Sequence, residues 1–240
     1  IATALSTLCH KVYSEIKIEL RISKYTLEKI EKFTDAKVYA SAETDLHEVR
    51  KTGNSTTLNF SGGFDSLAAK SLMPDDTKLV SMDFGGPFSR ERTFFEKFNP
   101  CIVSTNLLET PLRYNNWSFM GIASILFSEH LNTSYHTFGS ILEAGPNNFS
   151  DTSAAARNIS FPPFKIVGIE NAPYVLGLTE IGTLSVLGHH SPDLISESLE
   201  SLANPGEEKR YRKQILTKIT EERMGVCLLY TSPSPRDKRQ

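Results

Sequence analysis

The chain has 240 residues, of which 39% are hydrophobic and 22% are charged, and its formal net charge is −2. This composition is typical of a globular protein with one good-sized domain and flanking pieces. The negative charge argues against a dedicated nucleic-acid binder, and no apolar run reaches the roughly twenty residues of a membrane span.

Three cysteines are scattered along the chain, at Cys9, Cys101 and Cys227. Their odd number and wide spacing predict no disulfide framework. They indicate a reducing compartment, which we expect to be the cytoplasm. A homodimer is compatible with this sequence.

Residues 1–50 are predicted to form an accessory segment. Residues 16–22 alternate apolar and polar side chains, which is typical of a half-buried strand. Residues 26–33 combine a capping-box start with apolar residues at helical spacing, which predicts a helix. Because the chain begins at Ile1 rather than at a methionine, we expect a small layer or the remnant of a truncated N-terminal domain.

Residues 51–190 alternate between strand and helix patterns. Alternation of this kind predicts an α/β fold with a Rossmann-like, doubly wound, mostly parallel five-stranded sheet, helices on both faces, and a helical C-terminal extension. Ligands of such folds bind at the carboxyl ends of the strands. The predicted strands are residues 56–60, 78–84, 101–107, 134–139 and 164–169, and the predicted helices are 67–73, 89–98 and 117–131.

Residues 191–226 are predicted to form C-terminal helices. Ser191 and Pro192 are typical of a helix start, and the first helix is expected to end near residue 203. A second helix is expected from residue 207 to about 222. Residues 227–240 resemble translated sequencing-adapter sequence, and their Ser-Pro repeats and charges predict a non-native, disordered tail.

The segment Ser61-Gly-Gly-Phe-Asp-Ser66 lies between the first strand and the first helix of this alternation. A tight strand-to-helix turn directs several backbone N–H groups and a helix N-terminus at one point, which favours an anion. Gly62 and Gly63 would leave room for a phosphate, and the two serines add hydroxyl donors. A carboxylate beside a phosphate is best explained by a divalent cation between them, so Asp65 is a candidate metal ligand.

The pattern S-G-G-x-D-S resembles the signature of the PP-loop ATP pyrophosphatases, also called the adenine nucleotide alpha hydrolase group. In layout the chain is most similar to the cyano-deazaguanine synthases and to the ATP domains of asparagine synthetases. The resemblance covers about residues 56–170, and later helices match by layout only. It implies that ATP and Mg²⁺ are bound and that a small-molecule acceptor is the partner.

The resemblance also implies roles for individual residues. The loop would hold the β- and γ-phosphates, the end of the second strand would lie at the adenine, and Gly139 would lie near the α-phosphate. Asp83 has a second interpretation, as a cap of the following turn. The nucleotide-binding residues implied in this way are Ser61, Gly62, Gly63, Phe64, Asp65, Ser66, Met82, Asp83, Phe84 and Gly139.

Three charged residues are candidates for catalysis: Asp65, Arg113 and Glu143. Asp65 would bind Mg²⁺, Arg113 would stabilise charge on the α-phosphate, and Glu143 would act as a second metal ligand or a base. An ordinary solvated arginine and a helix-start acid are the alternatives for Arg113 and Glu143.

We therefore expect an ATP-dependent, AMP-forming enzyme of the ligase or amidotransferase type, which adenylates a substrate oxygen before a nitrogen nucleophile attacks. One alternative is a nucleotide-binding module without catalysis, because some relatives have a histidine and paired aspartates where this chain has Gly139 and Glu143. Another is a sulfur-transferring, tRNA-modifying relative, although no C-x-x-C pair occurs. A nucleic-acid partner is not favoured by the net charge.

Overall fold

The computed structural model describes residues 1–44, 50–115, 117–144 and 150–228. It comprises a small N-terminal unit, a five-stranded parallel sheet flanked by helices, and a C-terminal group of helices. The predicted α/β fold, with its five-stranded parallel sheet and helical C-terminal extension, is therefore confirmed. Within the described ranges, no helix has both the length and the apolar character needed to cross a membrane.

The N-terminal unit is a strand–helix–strand element preceded by one short helix. It consists of α1 (Ala2–Ser6), β1 (Glu15–Ser23), α2 (Lys24–Thr34) and β2 (Lys37–Thr44). β1 and β2 pair in parallel, as expected for two strands joined by a crossover helix. The Ser23 hydroxyl accepts a hydrogen bond from the Thr26 N–H and so caps α2. Ile166, from the main domain, packs in the apolar cluster of this unit.

The main sheet contains five strands in the spatial order β5-β4-β3-β6-β7, all parallel. β3 lies at the centre and pairs with β4 on one side and β6 on the other. Leu58 of β3 and Phe60, which follows the strand, are buried in the main apolar cluster. The elements in chain order are β3 (Ser55–Asn59), α3 (Phe64–Leu72), β4 (Lys78–Asp83), α4 (Ser89–Phe95), β5 (Cys101–Ser104), α5 (Ile122–Phe127), β6 (Thr133–Thr137), α6 (Thr152–Ala155), α7 (Pro162–Ile166) and β7 (Glu170–Asn171).

Three helices follow the sheet: α8 (Glu180–His190), α9 (Leu194–Leu202) and α10 (Glu208–Met224). Their buried residues Leu184, Leu187 and Ile195 extend the main apolar cluster. Leu228, which the sequence places in the disordered tail, is also buried in this cluster, and its N–H donates to Glu221. Residues 229–240 lie outside the described part of the chain.

Two predicted elements differ from the structure. Residues 164–169 were expected to form the fifth strand, but Pro162 and Pro163 begin helix α7, and the edge strand is Glu170–Asn171. Proline has the backbone angle of a first helical turn, which outweighs the strand-like alternation after it. Residues 117–131 form a 3₁₀ turn over Trp117–Gly121 and then α5, rather than one long helix.

Candidate functional site

The segment from Ser61 to Ser66, called the SGGFDS loop below, joins the carboxyl end of β3 to the start of α3. After β3 the chain adds β4 and β5 on one side of the sheet, and it then returns to place β6 on the other side. The order of strands therefore reverses beside β3, and such a switch point opens a crevice at the carboxyl ends of the strands. The loop lies at that position.

Gly62 has a left-handed backbone conformation, with φ +78°, which disfavours other residues. A Cβ atom at Gly62 would lie 2.4 Å from Cδ1 of Phe94, and one at Gly63 would lie 3.3 Å from a Leu202 methyl group. The space beside both glycines is thus occupied by protein side chains. The two glycines let the loop pack against α4 and α9, which differs from the expectation that they leave room for phosphate.

Hydrogen bonds fix the shape of the loop. The Gly63 N–H donates to the Ser61 hydroxyl oxygen at 3.3 Å, and the Ser66 hydroxyl donates to the Gly63 carbonyl at 3.0 Å. From α9, the Ser198 hydroxyl donates to the Gly62 carbonyl at 2.7 Å. No side chain caps α3, so its first N–H groups have no side-chain acceptor among the described residues. These N–H groups are the donors that an anion at this helix N-terminus would use.

The loop is only partly accessible. Ser61 and Asp65 are half-buried, whereas Gly62, Gly63, Phe64 and Ser66 are buried. An approaching ligand would therefore contact Ser61 and Asp65 rather than the whole loop.

Asp65 lies in a polar cluster formed with α8 and α10. Its Oδ1 accepts a hydrogen bond from the Thr183 hydroxyl at 2.9 Å. Lys213 forms an ion pair with Glu180 at 3.0 Å, and its Nζ lies 5.3 Å from the centre of the Phe64 ring. Burial raises the pKa of Asp65 above its ordinary value, and Glu180 and Glu143 act in the same direction, whereas Lys213 and Thr183 oppose the shift. Burial thus disfavours the negative form of Asp65, and the nearby cation Lys213 favours it.

Gly139 and Glu143 are brought close to the loop from the end of β6. Gly139 has φ +69°, and a Cβ atom there would lie 3.4 Å from the Cα of Ser66. Glu143 accepts a hydrogen bond from the Glu180 N–H at 2.9 Å, at the N-terminus of α8. The negative charge of Glu143 raises the pKa of Asp65. The structure thus groups Gly139, Glu143 and the loop, as the sequence predicts.

Asp83, at the end of β4, has protein partners for both carboxylate oxygens. Oδ1 accepts from the Gly85 N–H at 2.9 Å, and Oδ2 accepts from Arg92 at 2.6 Å and from the Ser104 hydroxyl at 3.0 Å. Burial alone would raise the pKa of Asp83, but these three donors outweigh it and lower the pKa. Asp83 caps the following turn, which matches the second of its two interpretations.

The other residues assigned to adenine are apolar. Met82 is buried, and Phe84 is half-buried in an aromatic cluster with Phe88 and Phe119.

Arg113 lies in an exposed turn after β5. Its guanidinium donates to the Leu108 carbonyl at 2.6 Å and covers the Tyr114 ring at 4.5 Å. No described contact joins Arg113 to the SGGFDS loop.

Asp65 and Glu143 are two carboxylates near the loop that could contribute to a magnesium site. Mg²⁺ is commonly held by one or two protein carboxylates together with phosphate oxygens. In the ranges that the structure describes, no cluster of three or more His, Cys, Asp or Glu side chains could hold a metal ion. The phosphates would therefore have to supply most of the ligands.

A cavity of about 900 Å³ opens beside the candidate site, and none of the SGGFDS residues lines it. It lies between α2 and the end of β6, where Thr137, Phe138 and Ser140 form part of its wall. No sequence pattern predicts this cavity, because its walls come from segments that are far apart in the chain.

Comparisons of this chain with protein-family models, with curated proteins and with solved structures found no match. The resemblance to the PP-loop ATP pyrophosphatases therefore stays a prediction, based on the SGGFDS residues.

Proposed function

We propose that the chain is an ATP-dependent, AMP-forming enzyme of the PP-loop type. A carboxylate, carbonyl or amide oxygen of a small acceptor attacks the α-phosphorus of ATP. The bond between this phosphorus and its bridging oxygen breaks, and pyrophosphate leaves with the electron pair. Ammonia or an amine then attacks the activated carbon and displaces AMP.

The observation that carries the proposal is the position of the SGGFDS loop. It lies at the carboxyl end of the central strand, at the switch point of a parallel sheet, and it opens a helix without a side-chain cap. This combination supplies backbone N–H donors and a helix dipole where nucleotides bind in α/β proteins.

The loop residues would act mainly by binding and orienting the outer phosphates. Ser61, half-buried, accepts from the Gly63 N–H at 3.3 Å and lies 3.4 Å from the Ser66 hydroxyl oxygen, and its hydroxyl hydrogen would turn from Ser66 to a bound phosphate. The first N–H groups of α3 would point at the same phosphates. Gly139, without a side chain, lets the end of β6 pack closely against the backbone of Asp65 and Ser66 and so would support the shape of the loop.

Asp65 and Glu143 would hold the magnesium ion. When bound, Mg²⁺ neutralises charge on the departing pyrophosphate. A cation next to Asp65 would also favour its ionised form, which burial disfavours. Asp65 is thus suited to bind a metal only together with a nucleotide.

One observation favours the second candidate, a nucleotide-binding module without catalysis. Asp65 already accepts from Thr183, and burial raises its pKa. Both features reduce its strength as a metal ligand. A sulfur-transferring relative has less support, because burial raises the pKa of the Cys9 thiol and so lowers its thiolate fraction.

The test combines MgATP binding with pyrophosphate release, measured for the wild type and for Asp65→Asn. The wild type should bind MgATP with a Kd of about 1 μM to 1 mM, the usual range for enzyme substrates. Asp65→Asn should lower pyrophosphate release at least about tenfold, because a magnesium ligand is lost. Its thermal stability should be unchanged or higher, because a buried carboxylate with a raised pKa is replaced by a neutral amide that can still accept from Thr183.

Asp76→Asn is the matched control, since Asp76 is exposed and follows the far end of α3. It should retain wild-type binding and release. Binding without release in the wild type would support the nucleotide-binding module, and no MgATP binding at all would contradict both candidates.

A further inference from the structure

The cavity beside β6 is surrounded by positive charge. Its lining includes Lys29 and Lys32 on α2, which are both exposed and lie on the same helix face as Tyr25. No aspartate or glutamate occurs among its described lining residues. The cations of the lining are Lys11, Lys29, Lys32, Arg157 and Lys165.

These five lysine and arginine side chains have no ion-pair partner among the described residues. Like charges converging on one cavity repel each other, and a negative ligand relieves that repulsion. A ligand with a single carboxylate would neutralise only one of the five.

Aromatic rings form the floor of the same cavity. Trp117 stacks on Phe161 with ring centres 5.9 Å apart, and it meets Phe138 edge-on at 5.5 Å. Trp117 remains 59% exposed, so one face of the indole is available to a ligand. A flat ring can stack there.

We propose that this cavity binds a segment of single-stranded nucleic acid. The bases would stack on Trp117, and the phosphates would contact the lysines and the arginine around it. Exposed rings combined with cations are the general means of binding single strands, because every base has a flat face and every nucleotide carries one negative charge. The volume of about 900 Å³ is at the upper end for a single small ligand and suits more than one nucleotide.

A duplex does not fit this cavity, since its bases are stacked on each other and are not available to Trp117. The proposal is also independent of the proposed ATP reaction, because no residue of the SGGFDS loop lines the cavity.

Trp117 provides a direct test, since it is the single tryptophan of the chain. Its fluorescence is titrated with a 12-nucleotide oligouridylate, without ATP or Mg²⁺, at several salt concentrations. We expect quenching by the oligonucleotide, at least about tenfold tighter than by uridine monophosphate, because several phosphates are contacted. A plot of the logarithm of the binding constant against the logarithm of the salt concentration should have a slope of about −2 to −3.5. This is the slope expected when three to five phosphates are contacted.

The variant Lys29→Gln/Lys32→Gln should weaken binding at least about tenfold and reduce the slope by about 1.4, because two phosphate contacts are lost. The control is Lys78→Gln/Lys218→Gln, which changes the net charge equally at exposed lysines outside the cavity, and it should keep wild-type affinity. Asp65→Asn should leave the quenching unchanged, even where it abolishes pyrophosphate release.

Three outcomes would overturn the proposal. The first is no quenching by the oligonucleotide. The second is equal affinity for uridine monophosphate, which would assign the cavity to a free nucleotide. The third is equal weakening by the two lysine double variants, which would mean that only the overall charge matters.

Discussion

At the scale of single residues, Gly62 is the most constrained position of the candidate site. It combines φ +78° with a side-chain space that is filled by the Phe94 ring. We expect Gly62→Ala to lower the free energy of unfolding by about 2–5 kcal/mol, of which roughly 1–2 come from the backbone conformation and 1–3 from overpacking. Urea unfolding at equilibrium measures this loss.

Gly206→Ala is the matched control, since Gly206 has φ +89° and no heavy atom within 4 Å of a Cβ placed there. It should cost only the backbone part, about 1–2 kcal/mol. Equal losses for the two variants would show that contact with Phe94 does not constrain the loop.

The motif residues could be predicted from the sequence, but their neighbours could not. The pattern S-G-G-F-D-S predicts the strand–loop–helix junction, and the structure has this junction. The partners of the glycines, Phe94 and Leu202, and the partner of Asp65, Thr183, come from distant segments. Nothing in the local pattern encodes such contacts, because they depend on how helices pack on the sheet.

At the scale of elements, β6 contains a fully buried histidine. Nδ1 of His136 lies 2.8 Å from the hydroxyl oxygen of Thr57, at hydrogen-bond distance. Its Nε2 has no hydrogen-bond partner among the described residues. Burial lowers the pKa of His136 to about 3. The folded protein therefore keeps this ring neutral at pH values where the unfolded chain binds a proton.

We expect a loss of stability in acid from this residue. Between its ordinary pKa of about 6.5 and the folded value of about 3, the unfolded state binds one more proton, so stability falls as the pH falls. From pH 7.5 to pH 5.0 the contribution is about 2 kcal/mol. Urea unfolding at both pH values should show that His136→Gln loses about 2 kcal/mol less than the wild type.

The matched control for this prediction is His130→Gln, because His130 is exposed. It should keep the pH dependence of the wild type. An unchanged pH dependence in His136→Gln would exclude His136 as the source.

The secondary-structure elements could be predicted from the sequence where the spacing of apolar residues matched one type of element only. The alternation of strands and helices predicted β3, α3, β4 and β6 near their observed bounds. It failed at residues 164–169, where a proline pair begins a helix, and at residues 117–131, where a 3₁₀ turn replaces the first part of the helix. In both places backbone geometry outweighed the apolar pattern.

At the scale of the whole molecule, charge is distributed unevenly. The net charge of −2 argued against a nucleic-acid partner, yet five cations meet at one cavity without a described acid in its lining. They are separated in sequence, so they form no charged run. These cations come together only because α2 packs against the main domain. The net charge of the chain contains no information about such local clustering.

The strand order was likewise beyond the sequence pattern. The alternation of strands and helices predicts a parallel sheet, but it does not determine the order of the strands. It does not predict that β6 pairs with the edge of β3 opposite to β4. This return places Gly139 and Glu143 beside the SGGFDS loop, and the proposed function depends on that arrangement.

The central claim is that the SGGFDS loop binds the phosphates of ATP. It is tested most directly by titrating isotope-labelled protein with MgATP and following the backbone amide resonances by NMR. We expect the largest shifts at residues 61–66 and at Gly139, with smaller shifts for AMP, which lacks the outer phosphates. Binding of MgATP that leaves these resonances unmoved and shifts other residues instead would contradict the account.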